Sequence, residues 1–129
     1  MVLGLSSVKK VLRKTGNKCA ICGCTHNLSC MDFIPIWTRI QPTIDNSIPL
    51  CADCIAERGM NFIELGKLKY VPQSTVFELM KVYQANNKYL KFYVRKFGTY
   101  RTRGLVDVNR ALLVLQSYDE FVYNNWPDI

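Results

Sequence analysis

The chain has 129 residues, 49% of them apolar, and 17 lysines and arginines against 10 acidic residues give a net charge of +7. That length suits one domain, or a small metal-stabilised module with a helical extension, and is short for two independent cores. An aromatic fraction of 12% excludes a disordered polar tail, and no apolar run reaches the roughly 18 residues that a membrane-spanning helix needs.

The N-terminus, MVLGLSSVKKVLRK, sets its short apolar patch ahead of its charges. This is the reverse order of a secretory signal, so an intracellular location, cytoplasm or nucleus or nucleoid, is expected. Over residues 7–15, Val8, Val11 and Leu12 share one helical face, and Gly16 follows as a stop. Lys9, Lys10, Arg13 and Lys14 can form a positive patch beside what comes next. That is a cysteine knuckle at residues 17–24, followed by a strand-like run LSCMDFI at 28–34 that Pro35 closes. Pro42 marks an irregular loop, and TIDNSIPLC (residues 43–51) leads into a second knuckle. ADCIAERG predicts a short helix with Gly59 just past its end.

Asn61 and Glu64 have the spacing of a further helix start, ahead of Lys67 and Lys69, and Pro72 ends that segment. Thr75 and Glu78 then read as a capping box for a long helix to about Phe97. GTYRTRG, residues 98–104, reads as a basic turn, and Asp107 opens a last helix striped with Val108, Leu112, Leu115 and Tyr118 that ends before Pro127.

Charge is segregated along this order. Residues 1–18 carry five basic side chains and no acid, and residues 19–66 carry two basic and five acidic. Residues 67–103 carry nine basic and one acidic, and the last 26 residues return to a net −3. Such separation suits a face that meets a polyanion, most often nucleic acid, although a charged surface also serves solubility. Lys88, Lys91 and Arg95 follow i, i+3, i+7 spacing, and with Lys96, Arg101 and Arg103 they make the expected phosphate-contacting row. Most of the interleaved aromatics, Tyr89 and Phe92 among them, are expected in the core, with Tyr100 in the basic turn left to stack on a base.

Without a secretory signal, six cysteines point to metal ligation before disulfides. CAIC and CADC share C-x-x-C spacing, so Cys19, Cys22, Cys51 and Cys54 offer four thiolates for one structural zinc per chain. All four positions filled by sulfur would leave that ion no catalytic role. Cys24 and Cys30 read as small half-buried thiols, with Cys24 able to replace Cys22 as a ligand. His26, the lone histidine, reads as a surface or structural residue.

Knuckle, hairpin, loop, second knuckle, helix: over about residues 12–60 this order resembles the HNH endonucleases, a ββα-metal form of the treble-clef zinc fold. GNKCAICG looks like the family's opening, LSCMDFIP like its D-H-x-x-P strand, and IDNSIPLCADC like its D-N-hydrophobic-x-x-L-C-x-x-C stretch. The resemblance implies a treble-clef zinc module within residues 1–66, and with the basic, mainly helical extension read over residues 67–129 the expected fold is α+β. It also implies what is missing. Asp32 stands at the first metal-ligand position and Asn46 at the loop-bracing asparagine, but Phe33 replaces the general-base histidine and Ile55 the metal ligand on the helix. Phenylalanine cannot accept a proton from water and isoleucine cannot bind a metal. No catalytic metal is therefore expected.

The expectation is a non-catalytic accessory or regulatory protein that binds nucleic acid, DNA in the first instance, with no membrane partner. One alternative is a protein-interaction module, for instance a viral factor, that docks onto a nucleic-acid enzyme through its C-terminal helices, with Trp126 as anchor. The other is an active metal-dependent endonuclease with a rearranged site.

Overall fold

A computed structural model describes residues 4–126, and the expected stop at Pro127 lies outside them. The first helix, α1, is Leu5–Arg13, with Val11 turned fully inward. It begins and ends two residues earlier than expected, because Lys14 to Gly16 form a turn that lowers the chain into the first knuckle.

Strand β1 (Leu28–Asp32) pairs antiparallel with β2 (Ser47–Cys51), setting Leu28 opposite Cys51 and Asp32 opposite Ser47. The expected strand 28–34 stops at Asp32, because Phe33 and Ile34 leave the ladder for the core. There the Phe33 carbonyl accepts from the Ile63 amide at 3.1 Å, and the Phe33 ring lies 5.9 Å from that of Tyr118. A 3₁₀ turn at Ile36–Thr38 interrupts the long connection between the strands. Trp37 pins that turn by donating from its indole to the Met60 carbonyl at 2.6 Å. Helix α2 (Ala52–Arg58) follows β2 directly and ends at Gly59 with φ 59°, as ADCIAERG predicts.

The helix start expected at Asn61 does not form. The Asn61 side chain accepts from the adjacent Phe62 amide at 2.8 Å instead of reaching a first-turn amide further on. Phe62 and Ile63 are both buried, as neighbours are in extended chain between two packed layers, and only a 3₁₀ turn at Leu65–Lys67 interrupts the run. The capping box at Thr75 and Glu78 is also absent: α3 (Gln73–Thr102) starts three residues earlier, with Pro72 as its cap and Thr75 inside its first turn. Proline presets the backbone angle there and loses no bond by lacking an amide hydrogen.

The largest difference lies at the far end of α3. Residues 98–102, expected as a turn, are helical, and the helix spans about 45 Å. Gly98 is buried where α3 approaches the start of α4 (Val108–Asn125); a Cβ on it would sit 3.4 Å from Val108 and 3.8 Å from Trp37. A methyl group would therefore make ordinary contacts there, and the burial of the α3 face around Gly98 outweighs the weak helix propensity of glycine, about 1 kcal/mol relative to alanine. The chain leaves α3 through Arg103 and Gly104, both left-handed, and Asp107 caps α4 by accepting from the Arg110 amide at 3.2 Å.

Helices α3 and α4 pack against each other through Leu79, Tyr83, Leu90 and Val94 on one side and Ala111, Leu115, Tyr118 and Val122 on the other. One contiguous core runs from Cys19 and Ala20 through Phe33, Ile48 and Phe62 to Tyr118 and Val122. Among the described residues the architecture is α+β, four helices with one two-stranded sheet, and none of these helices is long and apolar enough to cross a membrane.

Candidate metal centre and basic face

Backbone bonds shape the first knuckle before any metal is considered. The Cys19 amide donates to the Cys24 carbonyl at 2.8 Å and the Gly23 amide to the Cys19 carbonyl at 3.0 Å, folding CAICGC into a tight loop. Gly23 has φ 78°, and a Cβ there would fall 2.7 Å from the Tyr70 ring that covers the loop. Ala20 then ties the knuckle to both halves of the chain. Its amide donates to the Pro49 carbonyl of β2 at 2.9 Å, and its carbonyl accepts from the amides of Lys69 and Tyr70. The second knuckle needs no loop, because Cys51 ends β2 and Cys54 lies one helical turn into α2.

Cys19, Cys22, Cys51 and Cys54 come together, with all four Sγ atoms within 4.8 Å of one another. Cys19 and Cys54 are 3.7 Å apart, and Cys22 and Cys51 are 3.5 Å apart. A tetrahedral ion with zinc–sulfur bonds of about 2.3 Å separates its sulfurs by about 3.8 Å, so this donor set fits such a metal. Cys24 lies outside the cluster, its thiol directed to the His26 carbonyl at 3.7 Å, and His26 is exposed. Cys30 lies beside the Val8 carbonyl of α1.

The cluster also divides its sulfurs by how readily they ionise. Cys51 is drawn down to about 6, chiefly by the amide at Cys54 and then by the Cys22 thiol. Cys19 is lowered too: burial opposes its ionisation, but the amides around it prevail. Cys22 is pushed up to about 11; the amide at Cys24 pulls it down, but the Cys51 sulfur and burial outweigh that pull. Cys54 is raised, first by burial and then by its sulfur neighbours. Each close pair thus joins a sulfur that ionises readily to one that holds its proton, an arrangement a cation completes by displacing the protons.

Comparison with protein families, with curated proteins and with solved structures gave no match.

Asp32 opens onto a cleft of about 540 Å³ lined by β1, the 3₁₀ turn and the end of α2, with Ser47 and Arg58 beside it. The Ser47 hydroxyl lies 3.0 Å from Asp32 Oδ1 and 2.6 Å from the Thr43 carbonyl, dividing one proton between them. Burial raises the Asp32 carboxyl, against the pull of Ser47 and the neighbouring Arg58 guanidinium. Neither His26 nor Glu57 lines this cleft, and Glu57 reaches Lys67 instead. Phe33 points the other way, fully buried, and Ile55 packs against the core. Asn46 braces the loop: its side-chain oxygen accepts from the Thr43 amide at 2.7 Å and its nitrogen donates to the Gln41 carbonyl at 3.2 Å.

The basic residues fall into two groups. Lys88, Arg95, Lys96, Arg101 and Arg103 are exposed along α3 and its end, as are Lys10 and Arg13 on α1. Two others are engaged internally. Lys14 is half-buried and donates to the carbonyls of Ile44 and Ser47, which removes it from the expected patch. Lys91 pairs with Asp119 of α4, which also accepts from the Tyr83 hydroxyl, so Lys91 ties two helices together. The spacing rule missed both, since neither acceptor is near in sequence.

The aromatics differ more from expectation. Tyr83 and Tyr93 are buried, but Tyr89, Phe92 and Phe97 are exposed, and Tyr100, 81% exposed, sits on the last turn of a helix instead of in a loop. Tyr89 still donates from its hydroxyl to the Thr38 carbonyl at 2.9 Å, whereas Phe92 and Tyr100 face solvent. Trp126 is half-buried and stacks 5.1 Å from Phe77 of its own chain.

Proposed function

We propose that the protein is a non-catalytic nucleic-acid-binding module, stabilised by one zinc ion and presenting the outer face of α3 to phosphates. The observation that carries this reading is the set of exposed cations Lys88, Arg95 and Lys96 on one side of α3, with Arg101 and Arg103 at its end, in a stretch with no carboxylate between Glu78 and Asp107. Cations held on a rigid helix without competing acids release the counterions of a polyanion, which makes affinity steeply salt-dependent. Zinc fits the four sulfurs by geometry, and the sequence of knuckle, β1, β2 and α2 supports a treble-clef frame of HNH type. Its place would be structural, holding β2 and α2 to the first knuckle.

Nuclease chemistry is not part of this reading. In the Asp32 cleft the one carboxylate accepts from the Ser47 hydroxyl with the Arg58 guanidinium nearby, and a neighbouring cation disfavours a second one at the same carboxylate. A protein-docking role anchored on Trp126 is weaker, because that ring is already spent on Phe77.

A salt titration of binding to a labelled oligonucleotide tests the proposal. Five phosphate contacts give a slope of about −4 in log affinity against log salt, and Lys88→Glu with Lys96→Glu should remove most of the binding. A slope near zero would sink it. Incubation with supercoiled DNA and magnesium or manganese tests the rest: cleavage that disappears in Asp32→Ala would restore the nuclease reading.

A further inference from the structure

We infer that the outer face of α3 is a stacking platform for unpaired nucleotides, so that its nucleic acid is a single strand. The inference rests on the nucleic-acid reading above and adds strandedness to it.

Residues 88, 92, 96 and 100 follow at four-residue steps, so Lys88, Phe92, Lys96 and Tyr100 form one slowly winding row on α3. Cation and ring alternate along it, each step rising about 6 Å. Phe92 is 56% exposed and Tyr100 81% exposed, while the neighbouring Tyr93 is buried and stacks on both Tyr89 and Phe97. Among the described residues, neither Phe92 nor Tyr100 stacks on another ring. Helix formation needs no aromatic at these solvent-facing positions, and an apolar ring left in water gives up favourable burial.

A duplex would engage only half of this row. Its bases are stacked on each other, so it offers phosphates to the lysines and no base face to the rings. An unpaired strand offers both, and stacking tolerates any base because every base has a π-face. Lys96 between the rings, and Lys88 one step before them, can meet the phosphates that link stacked bases. Apart from the Tyr100 hydroxyl, the row carries no group that accepts a hydrogen bond from a ribose 2′-hydroxyl, so it should bind deoxyribose and ribose strands alike.

The test is fluorescence anisotropy on the full chain with four labelled probes of equal length: oligo(dT), an abasic deoxyribose strand, a duplex and oligo(U). The abasic strand keeps the phosphates and loses the bases, so the comparison needs no variant. Oligo(dT) should bind about tenfold or more tighter than the abasic strand, and oligo(U) should match oligo(dT). Phe92→Ala with Tyr100→Ala should erase the advantage of the bases, leaving abasic binding and the salt slope unchanged. Phe92→Tyr should keep that advantage.

Abasic strand or duplex binding as tightly as oligo(dT) would overturn the inference and leave the phosphate-binding reading intact. So would an oligo(dT) affinity indifferent to the double substitution, the result expected if these rings serve a protein partner. A strong preference for oligo(U) would overturn the sugar-blind part. Failure of all four probes to bind would remove the nucleic-acid reading itself.

Discussion

Residues 19–58 and the α3–α4 pair bury their chain by different means. The first region has two five-residue strands and a seven-residue helix, elements too short to stand alone in water, gathered around four sulfurs. The second has helices of 30 and 18 residues whose facing sides are aliphatic and aromatic. They meet through Phe33, Trp37, Phe62 and Ile63, which pack into the same core as Tyr93 and Tyr118. The cysteine half should therefore depend on a metal where the helical half depends on area, with α3 free to give its outer side to a partner.

Metal removal should separate the halves most strongly. Structural zinc contributes on the order of 10 kcal/mol in small modules, so chelation or Cys51→Ser should abolish stoichiometric zinc. Hydrogen-exchange protection should then fall much further in residues 19–58 than in α3 and α4. Equal loss in both would mean that the comparison is wrong. Zinc retention against a competing chelator should also weaken as pH falls, since protons compete for the four thiolates.

Phe33→His tests the seam between the halves. The ring lies in the core against Tyr118, away from the Asp32 cleft, so the imidazole should cost about 3 kcal/mol by denaturation and yield no plasmid nicking. Recovered cleavage would show that position 33 can face the cleft. Gly23→Ala should cost about 1–2 kcal/mol through its left-handed backbone, plus displacement of the Tyr70 ring. Adding Tyr70→Ala should relieve only the ring displacement; full recovery in thermal melts would show that the knuckle backbone is not strained by a side chain.

Asp32→Asn should have the smallest effect, and its sign is informative. Burial raises the folded carboxyl, so the native state binds its proton more tightly than the unfolded chain does. The wild type therefore loses stability as pH rises through that window, and the asparagine variant should be slightly more stable at neutral pH. The gain should vanish below the ordinary carboxylate range. Asparagine keeps an acceptor for Ser47. A clear loss at neutral pH would mean that the negative charge itself is used.

Much of the cysteine region was legible because its signals are local. C-x-x-C spacing nominated the four residues that cluster, and ADCIAERG located α2. The turn expected at residues 98–104 differs for a physical reason: glycine weakens a helix in isolation, and here Gly98 and Thr102 are buried by tertiary packing that carries α3 on to Thr102. Likewise Thr75 and Glu78 have the letters of a capping box, but Pro72 starts the helix first.

By itself the sequence determined the four cysteines that cluster, the order of short and long elements, the Asp107 cap and the concentration of positive charge before residue 103. These follow from spacing and composition, which the chain carries wherever it folds. Only the tertiary structure decided which cations are free and which aromatics face water. Lys14 is taken up by carbonyls 30 or more residues away, Lys91 by Asp119, and Phe33 by Tyr118, while Phe92 and Tyr100 are left outside. Such choices depend on which surface another element covers, and that is set by packing between residues far apart in the chain.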